Sequence, residues 1–425
     1  MCQKYNIVEL FSGIGSQAKA LKNIGMEIGE YLTCEWDLHA FVAYDAIHNN
    51  TPNISDEILK LTKDEVLNKL KEYSISNNGK EKMNFKTLCS YSEESLKRIY
   101  SSIIRSNNKV NVSELKGEDI PDNTDILTYS FPCQDLSNVG AFHGYNKGID
   151  INSGSRSSLL WQVGRILNEM KLANKKMPRY LVMENVPTLL SDRHIGNFNI
   201  WINKLKSLGY ENKYKKLNAK DFGLPQNRPR LIMISVYVGD NKEKQAKVKK
   251  YLDSIDEKII SDYCDSKYFY QYSISDLLRI DYKKNNLLNE AIECTPNRTV
   301  SRKKIWDENP QIISKSGEIN RNLDFVRTIT TKQDRHPNSG NLYFNSKIDG
   351  KAKFRYLTPR ECFLFMGFTD EDFDKIIDDN TKVRKNNKLF PRDKLIRMAG
   401  NSIPVKLLEG VFYQIKLMEN MNFDI

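Results

Sequence analysis

Cys133 stands between Pro132 and Gln134, where the apolar run Asp125–Phe131 (DILTYSF) stops and a segment rich in Gly and Ser begins. A thiol presented on such a loop can act as a nucleophile if a neighbouring cation lowers its pKa. Three groups with complementary chemistry lie at the edges of other apolar runs. Glu184 follows Tyr180–Met183 (YLVM), and Arg228 and Arg230 precede Leu231–Val238 (LIMISVYV). A carboxyl group beside the thiol could exchange a proton or hydrogen bond with a ring nitrogen. The plain alternative is that a lone cysteine is a small buried hydrophobe; only the company of Glu184, Arg228 and Arg230 weighs against it.

A second group of residues has the character of a nucleotide site. Phe11-Ser12-Gly13-Ile14-Gly15 forms a turn in which backbone can approach a ligand closely at a helix amino terminus. Glu35 stands where an acidic residue bonds ribose hydroxyls, and Trp36 could cover an adenine ring. An ordinary tight turn, and a helix-start carboxylate beside a core tryptophan, remain open as readings of the same residues.

The elements that must position these groups follow from the hydrophobic pattern. Asn6–Leu10 reads as a strand, followed by a glycine turn and a helix with Ala18, Leu21 and Ile24 at helical spacing. Tyr31–Cys34 is a second strand, with a helix over Leu38–His48 after it. With the runs at 125–131, 180–183 and 231–238, this predicts an α/β fold with a doubly wound, mostly parallel sheet, whose strand ends gather the candidate residues in one cleft. Residues 1–238 and 354–425 are expected to form this large domain, with a solvated helical insertion at about 55–112. Residues 239–353, rich in Lys and Asn, are expected to form a smaller, mostly irregular domain with short strands near Arg327–Thr331 and Leu342–Phe344.

Composition sets the outer bounds. A chain of 425 residues, 40% of them hydrophobic, can bury a full core, and a net charge of +11 favours polyanionic partners, nucleic acid first among them. No apolar run approaches the roughly 18 to 20 residues needed to span a bilayer, and the first residues lack a secretory layout, so a cytoplasmic protein without membrane contact is expected. The seven cysteines are scattered, without Cys-x-x-Cys pairs or histidine spacing suited to zinc, so reduced thiols and no metal are expected.

Taken in order, the segments Phe11–Gly15, Glu35-Trp36, Gly117-Glu118-Asp119-Ile120, Ser130–Gln134, Arg156 with Leu159, Glu184-Asn185-Val186, Gln226–Arg230, Leu357–Cys362 and Gly400-Asn401-Ser402 span nearly the whole chain. Their set resembles the DNA (cytosine-5-)-methyltransferase family, bacterial type. The resemblance implies a class I, Rossmann-like fold and transfer of a methyl group from S-adenosylmethionine to C5 of a cytosine flipped out of duplex DNA. In that chemistry Cys133 adds to C6, Glu184 serves N3, Arg230 holds O2, and Arg228 supports phosphate or loop position. It assigns the cofactor to Phe11, Gly13, Gly15, Glu35, Trp36, Asp119, Pro132, Asn401 and Ser402. DNA contacts fall on Gln134, Ser137, Arg156 and Gln226, with 134–155 as a mobile catalytic loop.

The smaller domain is then the target-recognition domain. Arg327, Thr328, Lys332, Arg335, His336 and Asn338 offer donors and acceptors suited to base edges, and Thr328-Ile329 resembles the short Thr-Leu element of the family. The enzyme is expected to be a monomer, either an orphan methylase or part of a restriction-modification system whose cognate restriction endonuclease is a functional and not a physical partner. Rival readings are a tRNA cytosine-5 methyltransferase of the same fold and a catalytically inactive DNA-binding regulator. A nicotinamide or flavin dehydrogenase would leave Cys133 without a role and lacks the third glycine of the dinucleotide turn.

Overall fold

The computed structural model describes residues 4–49, 54–132, 159–333, 339–385 and 387–421. In chain order, the elements that frame the site are β1 (Lys4–Leu10), α1 (Ser16–Asn23), β2 (Glu27–Cys34), α2 (Leu38–His48), α3 (Glu93–Arg105), β3 (Ile126–Tyr129), α4 (Leu160–Leu172), β4 (Tyr180–Asn185), α5 (Ile195–Ser207), β5 (Tyr210–Asn218), β6 (Pro229–Tyr237), α6 (Lys242–Cys264), α7 (Pro359–Phe365), α8 (Arg392–Asn401) and α9 (Val405–Asn420). Among the described residues the main sheet has six strands in the order β2-β1-β3-β4-β6-β5. The first four run parallel, and β6 is antiparallel to both β4 and β5.

Period-two alternation along the strands supplies both faces of this sheet with apolar side chains. Ile7, Ile126, Tyr180, Val182, Ile232 and Ile234 point into one core, which Leu21 of α1, Phe41 of α2, Leu252 of α6 and Val411 of α9 complete. Val8, Leu127, Leu181, Met183 and Met233 point the other way, against Val163 and Leu167 of α4 and Phe198 and Trp201 of α5. Full burial of each such side chain contributes about 1.5–3 kcal/mol, so neither face tolerates the one-residue slip that would exchange the two sets.

The insertion is more than a solvated excursion. Its helices Asp56–Lys60, Lys63–Lys71, Phe85–Cys89 and α3 bury Val66, Leu70, Leu88, Leu96, Ile99 and Ile103 in the same core as α2. Arg98 of α3 is buried between Asp45 at 2.7 Å and Asp379 at 2.5 Å. A helical apolar stripe is enough to dock a helix however polar its outer face is.

The start of the expected smaller domain also differs. Residues 242–264 form the 23-residue helix α6, whose Val248, Leu252, Ile255 and Ile259 belong to the main core. That stripe is interleaved with lysines, which hide it from a composition reading. Beyond it lie the helices Ile274–Leu277, Asn285–Glu293 and Val300–Glu308 and a three-stranded sheet of Gln311–Ile313, Asn341–Tyr343 and Phe354–Arg355, so this part is less irregular than expected. Trp306, Ala352, Phe354 and Tyr356 form its own small core. Val326–Arg327 pairs in parallel with Gln226–Asn227, joining this part to the segment that leads into β6. No helix among the described residues is long and apolar enough to cross a membrane.

Candidate active site

A cavity of about 450 Å³ opens beyond the carboxyl ends of the parallel strands and the amino end of β6, lined by Phe11 and Gly13 after β1, Glu35 and Trp36 after β2, Ser130 to Pro132 after β3, Glu184 on β4, Arg230 on β6, and Asn401 and Ser402 at the end of α8. The glycine turn and the acidic residue meet directly: Gly13 N–H donates to Glu35 Oε2 at 3.0 Å, and Asp37 N–H donates to Oε1 at 2.9 Å. Gly13 has φ +56°, and an added Cβ there would meet no atom within 4 Å, so its open side faces free space. Burial pushes the Glu35 carboxyl up to about 7, with the charge of Asp37 adding to the rise and the backbone donors opposing it. Gly15 serves a different purpose. A Cβ on it would fall 2.2 Å from His48 Nε2, so its smallness lets α1 start against α2.

On the opposite wall Arg230 Nε lies 2.8 Å from Glu184 Oε1, with both side chains largely buried. Burial raises the Glu184 pKa, while the positive charges of Arg230 and Arg228 pull it back down. This arrangement can hold or release a proton on an oxygen facing a ligand. The adjacent Asn185 is buried and donates from Nδ2 to Phe131 O at 3.0 Å. It thereby fixes the backbone that leads through Pro132 to Cys133. Cys133 itself lies outside the described residues, as do Gln134, Ser137, Arg156, Arg335, His336 and Asn338.

Several expected site residues sit elsewhere. Arg228 is 1% exposed and does not line the cavity. Its guanidinium donates to the carbonyls of Ile329 (2.7 Å), Gly400 (2.8 Å) and Ser402 (2.7 Å), which makes it a clamp on loops; of its two expected roles, the structure gives it loop position. Gln226, expected to touch DNA, is fully buried. Its amide donates to Phe365 O at 2.8 Å and accepts from Ile329 N–H at 3.0 Å, work that a polar side chain inside a core must do. Asp119, expected at the cofactor, accepts from Lys116 N–H at 2.8 Å in a short 3-10 turn and does not line the cavity. Val110 to Ser113 stand there instead, with Val110 at φ +60°. Of the residues expected to read DNA, Arg327 and Lys332 are exposed and Thr328 donates to Asn227 O at 2.7 Å. Asp37, Gly79 and Arg397 also line the cavity without any signal in the sequence that marked them.

Residues 72–417 match the family model described as C-5 cytosine-specific DNA methylase. The chain belongs to that family. The methylase is 32% identical to the type II methyltransferase M2.ScrFI of Lactococcus lactis subsp. cremoris, over 96% of this chain and 98% of the relative. It is 31% identical to the orphan methyltransferase M.SssI of Spiroplasma monobiae, over 97% of each. Among solved structures the methylase is similar in fold to the Dnmt2 methyltransferase of S. pombe, with a TM-score of 0.56 at 16% identity, covering 99% of this chain and 100% of that one. A structure of a DNA modification methyltransferase encoded in an E. coli prophage gives a TM-score of 0.52 at 16% identity, covering 98% and 100%. The sheet order and two-sided helical cover are those of a class I, Rossmann-like methyltransferase fold.

Proposed function

We propose that this methylase transfers a methyl group from S-adenosylmethionine to C5 of a cytosine in a short, specific sequence of duplex DNA, by way of a covalent adduct between Cys133 and C6. The observation that carries the proposal is the Glu184–Arg230 pair on the wall of the same cavity that Pro132, the residue before Cys133, also lines. The target base must leave the stack to reach it, at a cost of a few kcal/mol.

Cytosine C5 is too weak a nucleophile unaided. The Cys133 thiolate adds at C6, and the electron pair of the C5–C6 bond moves toward N3, where protonated Glu184 supplies a proton while Arg230 holds O2. C5 then becomes the attacking atom. Loss of the C5 proton to a base, expulsion of the thiolate and return of the N3 proton to Glu184 restore the ring, the acid and the free cysteine.

The other end of the cavity suits the cofactor. Gly13 offers open space, Glu35 an acceptor for ribose hydroxyls, Trp36 a flat face for adenine, and Asn401 and Ser402 polar groups from the end of α8. When bound, S-adenosylmethionine supplies an electrophilic methyl group on a sulfonium. Residues 265–353 with Arg327, Thr328 and Lys332 choose the DNA sequence. The enzyme acts as a cytoplasmic monomer, either as an orphan or with a cognate endonuclease linked to it by function alone.

The test is bisulfite sequencing of a plasmid from cells expressing the protein, followed by incubation with a duplex carrying 5-fluorocytosine at the site found. Wild type should form a denaturation-resistant DNA adduct in the presence of cofactor, and Cys133→Ser should methylate nothing and form none. Methylation by Cys133→Ser would remove the nucleophile. Transfer to tRNA and not to duplex DNA would favour the rival substrate.

A further inference from the structure

The insertion reaches the cavity at the loop 76–79, where Gly79 lines it beside Trp36 and Asp37. This loop, of sequence Ser-Asn-Asn-Gly, would be loose by composition, yet it is fastened on two sides. Toward β2, Ser76 N–H donates to Trp36 O and Leu38 N–H donates to Ser76 O, each at 2.8 Å. Within the loop, Ser76 Oγ accepts from Gly79 N–H at 3.0 Å and donates to Glu81 O at 2.6 Å. Toward α8, Lys394 Nζ donates to Asn77 O and Arg397 Nη1 donates to Asn78 O, each at 2.7 Å, while Nη2 of Arg397 pairs with Asp37. Two cationic side chains thus hold consecutive carbonyls of one short loop at the rim of the cavity, and the carboxylate that balances Arg397 lies two residues from Glu35.

We infer that the Ser76–Gly79 loop is a wall of the nucleoside end of the cofactor pocket, held in place by the Asp37–Arg397 pair so that an adenosine-bearing ligand is retained. The inference rests on the proposed roles of Glu35 and Trp36 and gives the insertion a part in cofactor binding. Gly79 has φ +66°, a backbone that favours glycine, and a Cβ there would stand 3.3 Å from Asp37 Oδ2. Breaking the pair frees the wall without touching the methyl-transfer end.

The test uses the full chain and S-adenosylhomocysteine. Hydrogen–deuterium exchange of the wild-type protein should show residues 76–79 protected when the ligand saturates it. Arg397→Gln and Asp37→Asn should release the ligand about tenfold faster, the size expected for loss of one charge-assisted contact. Asp37→Asn is the safer variant for folding, because asparagine also caps the start of α2. Unchanged exchange at 76–79 in the saturated complex, or wild-type release rates in both variants, overturns the inference. Failure of wild type to bind the ligand, or undiminished binding by Glu35→Gln, instead overturns the assignment of the pocket itself.

Discussion

Arg228 Nη1 donates to the carbonyl of Ile329 at 2.7 Å, across a hundred residues of chain. The same guanidinium holds Gly400 O and Ser402 O, so one side chain ties the segment around Ile329 to the end of α8. A Cβ on Gly400 would fall 2.5 Å from backbone atoms of Thr330 and Thr331, so the two segments are in intimate contact. Arg228→Ala leaves the buried carbonyls of Ile329 and Ser402 and the part-buried carbonyl of Gly400 without this donor. At about 1–3 kcal/mol for each buried group left unsatisfied, urea unfolding should show a loss of at least about 2 kcal/mol. Lysine cannot span all three oxygens, so Arg228→Lys should recover little. Full stability with weakened DNA binding would return Arg228 to a phosphate contact.

Methyl transfer should fall as pH rises through the pKa of Glu184, because the protonated acid serves N3. Burial raises that pKa and Arg230 opposes the rise. Arg230→Ala should therefore lower kcat by about 100-fold or more and move the alkaline limb of the pH–rate profile upward. A limb that stays in place would mean that another group sets it.

Glu9 on β1 is buried beneath α1 and α2. Burial drives its carboxyl up to about 7, against a hydrogen bond from Tyr44 and the charge of Lys22. The folded-state pKa exceeds the unfolded value of 4.5, so the folded protein keeps the proton between the two. The contribution to stability is full below pH 4.5 and is lost as pH rises through 7. At about 1.4 kcal/mol per unit, Glu9→Gln should gain up to about 3 kcal/mol over wild type between pH 4.5 and 8. Parallel stability curves for the two proteins across that range would contradict this.

Arg327→Ala should broaden the set of cytosines methylated more than it slows transfer, since Arg327 is exposed on the recognition segment. Gln226→Ala should do the reverse, lowering the unfolding midpoint with the methylation pattern unchanged, because its amide bridges Phe365 and Ile329 inside the core. Bisulfite sequencing of plasmid DNA from cells expressing each variant, with thermal unfolding of both, separates the two outcomes.

The strands that end at the cavity were legible because their side chains are buried on both faces and read as continuous apolar runs. Strand β5, Tyr-Glu-Asn-Lys-Tyr-Lys-Lys-Leu-Asn, was not; it lies at the sheet edge, where Lys213 and Lys216 face solvent or ion pairs and little apolar signal remains. At the site, Glu35 and Glu184 were legible from their place at strand ends. Asp119 was misplaced because a tripeptide in the right order carries no geometry. The residues that do stand there follow Val110, whose left-handed backbone no propensity announces. Gln226 misled for a related reason: an amide among arginines reads as exposed until its backbone partners are known.

Helix α9 closes over α1, with Asn23 Nδ2 donating to Glu409 Oε1 and Lys416 Nζ to Ile24 O, each at 2.7 Å. On the ribosome, these partners emerge some 400 residues apart, an interval of roughly 20–80 s at ordinary rates of synthesis. The seal between α1 and α9 is therefore made late in synthesis, after the strands and α2 that share the core with Leu21 and Ile24.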